Sequence, residues 1–187
     1  AMKRCLVTGG AGFIGSNLVD ELIGLGHEVV VIDNLSTGKK ENLNPKVRFK
    51  KLDIRDLKKI KPLFKGIDWV FHLAAFPRVQ PSIDDPLTAN DINLNGTLNV
   101  LMAAREAGVK KFIYSASSSA YGNQEKMPLC ETMSARPLSP YGLQKLSGEQ
   151  FAKIFSDLYN IEIICLRGFN IYGPRIDVNS DYSLVLG

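Results

Sequence analysis

Thr8-Gly-Gly-Ala-Gly-Phe-Ile-Gly-Ser16 is the stretch on which the fold turns. An apolar run, Arg4 to Thr8, precedes it, and a helical pattern of Ile14, Leu18, Leu22 and Leu25 follows. Gly9, Gly12 and Gly15 stand three apart, and each has a task. One makes a tight turn, one lets backbone approach a pyrophosphate, and one lets helix pack closely on strand. The helix opening here offers unpaired N–H groups and the positive end of its dipole to phosphate. Asp33 ends the next apolar run, 18 residues after Gly15. A carboxylate there binds a ribose 2′-hydroxyl and repels a 2′-phosphate, so NAD is expected rather than NADP. A glycine triplet alone would mean little; strand, helix and acid together predict a dinucleotide site.

Outward from this stretch, apolar runs recur at Glu28 to Ile32, Val47 to Leu52, Trp69 to Leu73, Lys111 to Ser115 and Glu162 to Leu166. Helical patterns lie between them. Leu94, Leu98, Leu101 and Ala104 predict a helix over 93–107 that Gly108 stops. Ser139 as N-cap and Pro140 in the first turn open another that runs to about Tyr159. Strands alternating with helices predict an α/β fold: a doubly wound (Rossmann) parallel sheet with helices on both faces, in one domain over 1–187. The last segment, from Asp177 to Gly187, completes no element. The chain is therefore read either as a fragment or as an unusually small product.

At 187 residues the chain can bury a sizeable core, and 45% hydrophobic with 22% charged residues suits a soluble globular protein. The net charge of +4 is mild, and Lys39-Lys40, Lys50-Lys51 and Lys58-Lys59 are scattered. No basic stripe forms, which argues against a nucleic-acid partner. No apolar run is long enough to span a membrane, and a strand starting near Lys3 leaves no room for a signal peptide. Cys5, Cys130 and Cys165 form no disulfide framework and no metal-ligand spacing; Cys5 and Cys165 sit in apolar runs and are expected as buried free thiols. A cytoplasmic location follows from that reading.

Tyr141 and Lys145 lie four residues apart, on one face of the first turns of their helix. The helix dipole and the ammonium both favour a phenolate, which predicts a lowered tyrosine pKa suited to a general base. Tyr114-Ser-Ala-Ser-Ser-Ser-Ala-Tyr-Gly122 follows the fifth run, so its hydroxyls fall at the carboxyl edge of the sheet, where such folds bind ligands. Asp53 and Ile54 follow the third run and either reach an adenine or cap a strand end.

The glycine stretch, His72-Leu-Ala-Ala75, the serine run ending in Tyr121-Gly122, Pro137-Leu-Ser-Pro-Tyr-Gly-Leu-Gln-Lys145 and Phe169-Asn-Ile-Tyr-Gly-Pro-Arg175 together resemble the extended short-chain dehydrogenase/reductase family. Within it they are closest to the UDP-glucose 4-epimerase group of NAD-dependent epimerases and dehydratases, and the resemblance spans residues 4 to 175. It implies that Tyr141 is the general base for the sugar 4-hydroxyl. Lys145 lowers its pKa and holds the nicotinamide ribose, and Ser117 hydrogen-bonds the reacting hydroxyl. Asn170 holds the substrate diphosphate. Leu73, Ala74 and Ala75 line the cofactor channel, with Phe13, Ile14 and Asn34 also at the cofactor. Asn93 matches an asparagine near the nicotinamide, or else caps a helix start. A homodimer is implied through the helices at 93–107 and 140–159, with Leu94, Leu98, Leu101 and Met102 as apolar contacts.

Dehydratases resembling this chain carry Asp-Glu at the positions of Ser118 and Ser119, and decarboxylases a glutamate at the second. Serines orient a sugar but move no proton at neutral pH. The expectation is therefore epimerisation of a UDP-hexose at C4 through a 4-keto intermediate. Another nucleotide-sugar oxidoreductase or dehydratase, or a non-catalytic NAD-binding fragment, stands as the alternative. Gly168 departs from the aromatic found in many relatives, and relatives continue past residue 187 into a small substrate domain.

Overall fold

Short runs of β-branched and aromatic residues form strands where both faces of a sheet are covered. The computed structural model, which describes residues 1–177, sets six such runs side by side. They are β1 (Arg4–Thr8), β2 (Glu28–Asp33), β3 (Arg48–Lys51), β4 (Trp69–His72), β5 (Lys111–Ser115) and β6 (Glu162–Leu166). Their order is β3-β2-β1-β4-β5-β6, and each neighbouring pair is parallel. Succession runs one way from β1 to β3 and the other way from β4 to β6. A crevice therefore opens at the carboxyl ends of β1 and β4, the switch point of a doubly wound sheet.

Alternation along the strands sorts the core into two halves. Leu6, Val30, Ile32, Val70 and Phe112 face one side and pack with Val100, Leu101, Ala104 and Phe155. Cys5, Val7, Val29 and Val31 face the other and pack with Val19 and Leu22. The helices are α1 (Phe13–Gly24), α2 (Leu57–Ile60), α3 (Val79–Asp84), α4 (Pro86–Asn90), α5 (Thr97–Glu106) and α6 (Pro140–Tyr159). In α6 the Ser139 side chain accepts from Gly142 N, Pro140 sits in the first turn, and Asn160 ends the helix in the left-handed region. No helix among the described residues is long and apolar enough to cross a membrane.

Strand ends match the sequence reading within one residue; helix faces depart further. On α1 the buried residues are Gly15, Ser16, Val19 and Leu22, while Ile14 and Leu25 are exposed. Small residues let this helix sit low on the glycine turn, which rotates the apolar stripe away from the one read by spacing. The helix expected over 93–107 starts earlier, because a π-helical turn, Asp91–Gly96, joins α4 to α5. The extra residue in that turn brings Asn93, Gly96 and Thr97 inward and leaves Leu94 and Leu98 half-buried. Leu101 is fully buried in the chain's own core and cannot serve as a dimer contact. Cys5 is buried as expected, but Cys165 is only half-buried, because among the described residues β6 stands at the edge of the sheet. The segment after Asp177 lies outside the described residues.

Candidate active site

The cofactor half of the crevice is built from three strand ends. Gly9 has φ +74, and a Cβ on it would lie 2.7 Å from Ala74 N, so the turn after β1 touches the Leu73–Ala75 stretch after β4. A Cβ on Gly15 would collide with Gly9 O, so the first turn of α1 rests directly on the loop. Gly12 differs: its Cβ would meet Gly9 O at 3.3 Å and nothing else within 4 Å, leaving that side open for an incoming phosphate. Phe13 and Ile14 follow in the first helical turn.

Asp33 closes this half. Its Oδ2 accepts from Ala11 N at 3.0 Å and its Oδ1 from Leu35 N at 2.8 Å, so one carboxylate joins the glycine loop to the loop after β2. Each oxygen keeps a lone pair for a ribose hydroxyl. Asn34 donates to Asp53 Oδ2 at 3.0 Å. Arg55 fills the rest of Asp53 through its backbone N–H, Nε and Nη2 at 2.8–3.0 Å. These bonds, led by the guanidinium, pull the Asp53 carboxyl down to about 2. Asp53 thus makes the strand-end turn that was one of its two readings. The Ile54 side chain is core, set against Gly96, and its carbonyl is held by Asn99 Nδ2 at 3.1 Å.

The second half gathers at the ends of β4, β5 and β6. Ser117 caps the short turn Ser118–Ala120, its Oγ accepting from Ser119 N at 3.1 Å. Gly142 brings the start of α6 against that turn, since a Cβ there would lie 2.7 Å from Ser119 O. Tyr141 and Ser117 thereby meet. The structure brings Lys145 beneath them: it is 3% exposed, and its Nζ donates to Ser115 O at 2.8 Å. Nζ lies 5.9 Å from the centre of the Tyr141 ring. Ser118 and Ser119 are half-buried beside the crevice, whereas Asn170 is exposed, and Phe169 stacks on Tyr121 with ring centres 6.2 Å apart.

Burial, not the neighbouring charge, dominates the titration of this pair. It pushes the Tyr141 phenol above its ordinary value, while the Ser117 hydroxyl pulls against that. This corrects the expectation of a lowered tyrosine. The same desolvation brings Lys145 down to about 8, which weakens the charge that was to stabilise a phenolate.

His72, Thr97 and Gln144 have no role in the sequence reading, and the structure buries them here beside Asn93. His72 is 1% exposed and stacked on Tyr114. Its Nδ1 lies 2.6 Å from Thr8 Oγ1 and its Nε2 2.9 Å from Thr97 Oγ1. Thr97 donates its own proton to Asn93 O, and Thr8 Oγ1 accepts from Ala74 N. The one assignment that satisfies every bond puts the imidazole proton on Nε2. Burial and then the charge of Lys145 push this imidazole down to about 3, so it is neutral. Asn93 lies inside the π turn and is no helix cap. It brackets Phe76, accepting its N–H at 2.7 Å and donating to its carbonyl at 3.1 Å, and donates to Gln144 Oε1 at 2.9 Å. The available signal was a polar residue at the inward end of an apolar run, as at His72 and Tyr114.

Known proteins share this arrangement over most of the chain. Residues 5–186 match the model of the NAD dependent epimerase/dehydratase family. A putative UDP-glucose 4-epimerase of Methanocaldococcus jannaschii is 42% identical over 96% of this chain and 60% of its own length. The solved UDP-N-acetylglucosamine 4-epimerase of Methanobrevibacter ruminantium, in complex with UDP-N-acetylmuramic acid, superposes with TM-score 0.93 at 42% identity, over 98% of this chain and 60% of the other. A Thermus thermophilus UDP-glucose 4-epimerase in complex with NAD gives TM-score 0.91 at 39% identity, over 96% and 59%. The chain thus spans about 60% of the length of these relatives. With residues 5–186 matched and the superpositions covering nearly the whole chain, the chain belongs to the NAD dependent epimerase/dehydratase family.

Proposed function

We propose that this chain is the NAD-binding domain, residues 1–187, of an enzyme that epimerises a UDP-hexose at C4. The observation that carries the reading is the meeting of Tyr141, Ser117 and Lys145 at the switch point with serines, not acids, at 118 and 119. Gly12, the first turn of α1 and the remaining lone pairs of Asp33 fit a dinucleotide's phosphates and adenosine ribose. Leu73, Ala74 and Ala75 border the path to the reacting end, and Asn34, Asp53 and Ile54 border the adenine end. Bound there, the nicotinamide supplies an acceptor and donor of hydride.

The chain's own residues handle the proton. Tyr141 takes it from the sugar 4-hydroxyl as C4 is oxidised, and gives it back when the 4-keto sugar is reduced on its other face. Ser117 accepts from or donates to the same oxygen and fixes its direction. Lys145, held on Ser115 O, lies close enough to steady a phenolate. Ser118 and Ser119 orient the sugar. Without a carboxylate beside C5 or C6, elimination of water lacks its acid and base, which favours epimerisation over dehydration. Asn170 is assigned to the substrate diphosphate. Asn93 supports the nicotinamide side through Phe76 and Gln144.

The whole protein is read as a cytoplasmic homodimer of galactose metabolism, its three cysteines free. Leu143, Ile154 and Leu158 form an exposed stripe on α6, and with Leu94, Leu98 and Met102 they supply the dimer surface. Light scattering should give twice the chain mass; a monomer at micromolar concentration overturns this part. The chemistry is tested by incubating the protein that carries this chain with NAD and UDP-galactose, or the N-acetylated analogue. Chromatography should show interconversion of the 4-epimers with no net rise in NADH absorbance. A dehydrated sugar, or stoichiometric NADH, would replace the reading with another reaction of the family.

A further inference from the structure

Among the described residues, Lys145 is buried with only a neutral carbonyl, Ser115 O, as its hydrogen-bond acceptor. An ammonium so placed needs another source of negative potential. Its Nζ stands 5.2 Å from the centre of the Tyr114 ring, nearer than to Tyr141 and within the range at which an aromatic face attracts a cation. On Tyr114 also stacks the neutral His72, ring centres 5.8 Å apart and planes 26° from parallel. We propose that Tyr114 is a positioning residue for Lys145: its ring face carries the ammonium where it serves Tyr141. The inference rests on the assignment of Tyr141 and Lys145 above.

The hydroxyl of Tyr114 has no part in this. It is buried with no partner of good hydrogen-bonding geometry among the described residues, the Thr97 hydroxyl near it being engaged by Asn93 O and His72. It fits only because α6 has Gly148 opposite, where a Cβ would collide with it. The ring is thus the functional element and the hydroxyl a tolerated burden. A buried unpaired hydroxyl costs stability, so a phenylalanine would serve at least as well. The groups that face Lys145 are Tyr141 on its own helix, Tyr114 on β5 and His72 on β4. Glu149 on α6 and Cys165 on β6 act on Tyr114, while α5 and the π turn contribute the uncharged Thr97 and Asn93.

The test is the Lys145 titration, followed by NMR in the full chain labelled with ¹³C at lysine Cε, with Lys145→Met identifying the signal. No dinucleotide or sugar is added. The wild type should titrate near the depressed value of about 8. Tyr114→Phe should leave that midpoint in place and raise the melting temperature. Trifluorophenylalanine at 114, which keeps the shape but drains the ring face, should lower the midpoint by on the order of one pH unit. Tyr114→Leu should lower it at least as far; if that variant does not fold, the fluorinated ring decides. A midpoint unmoved by fluorination, or moved equally by Tyr114→Phe, overturns the inference. Because no substrate is present, a wrong choice of sugar or reaction leaves this result untouched, and a failed titration leaves the product assay standing.

Discussion

The two halves of the crevice use carboxyl ends of one sheet and are built on opposite principles. On the β1–β3 side the two strand-end carboxylates are well partnered. Asp33 holds two backbone N–H groups and Asp53 is filled by Arg55 and Asn34. On the β4–β6 side His72 and Asn93 are satisfied, but other buried polar groups have fewer partners than they can use. Lys145 rests on one carbonyl, and among the described residues the Tyr114 hydroxyl and Arg167 Nη1 have no hydrogen-bond partner. Arg167 is nonetheless paired with Glu149 at 2.7 Å and set over the Tyr121 ring. The first half is a finished cradle, suited to a cofactor that stays. In the second, burial rather than pairing sets the titration: it raises the Tyr141 phenol and lowers Lys145 to about 8.

The contrast is tested most severely at Tyr141. In the protein that carries this chain, Tyr141→Phe should lower turnover on UDP-galactose by about a hundredfold or more while NAD affinity persists. Unchanged turnover on both UDP-galactose and its N-acetylated analogue would remove Tyr141 from its role. Without dinucleotide, its ionisation, read as the 295-nm absorbance difference between wild type and Tyr141→Phe, should appear above the free-tyrosine value near 10.

Lys145→Met sets function against stability. Turnover and NAD affinity should both fall. Thermal stability near pH 7 should rise, by at most roughly 3 kcal/mol, since a buried ammonium is replaced by an apolar chain of similar length. The pH dependence follows from the lowered folded-state pKa. Between about 8 and the unfolded value of 10.5 the unfolded chain binds more protons, so wild-type stability gains with pH there. The melting difference between the two should therefore shrink as pH climbs through that window. A difference independent of pH across that window would mean that the folded-state pKa of Lys145 is not lowered.

On the finished side the effects are smaller. Asp33→Ala should weaken NAD by about tenfold and narrow the preference over NADP. Calorimetric titration with both cofactors checks it, and equal affinities in the wild type would end the ribose assignment. Asp53→Asn should act chiefly on stability, with the smallest effect of the four. The Asp53 carboxyl is depressed to about 2, so its contribution is present above 3.8 and is lost as pH falls toward 2. Acid unfolding curves of wild type and variant should converge across that interval.

Legibility followed the same division. Gly9, Gly15 and Asp33 were readable because a turn, a close approach and a strand-end acid are local demands on backbone. The α6 cap at Ser139 and its stop near Tyr159 were readable for the same reason. Tyr141 and Lys145 were readable as a helical pair, but the direction of the tyrosine shift was not. Spacing reports a neighbouring charge and says nothing of how much water surrounds it. The stripe of α1 and the inward turn of Asn93 were misplaced because packing and one inserted residue rotate a helix without changing its composition.

By itself, then, the amino-acid order determined which runs become strands, the glycine turn after the first of them and the helix bearing Tyr141 and Lys145, because each is set by a pattern local to its own segment. Only the tertiary structure decided that Leu101 belongs to the core, that His72 is neutral with its proton on Nε2, and that Tyr114 lies under Lys145. Those outcomes depend on burial and on partners tens of residues away, Thr8 with His72, Tyr114 with Lys145 and Asn93 with Gln144, and desolvation is a property of the enclosure rather than of any segment that forms it.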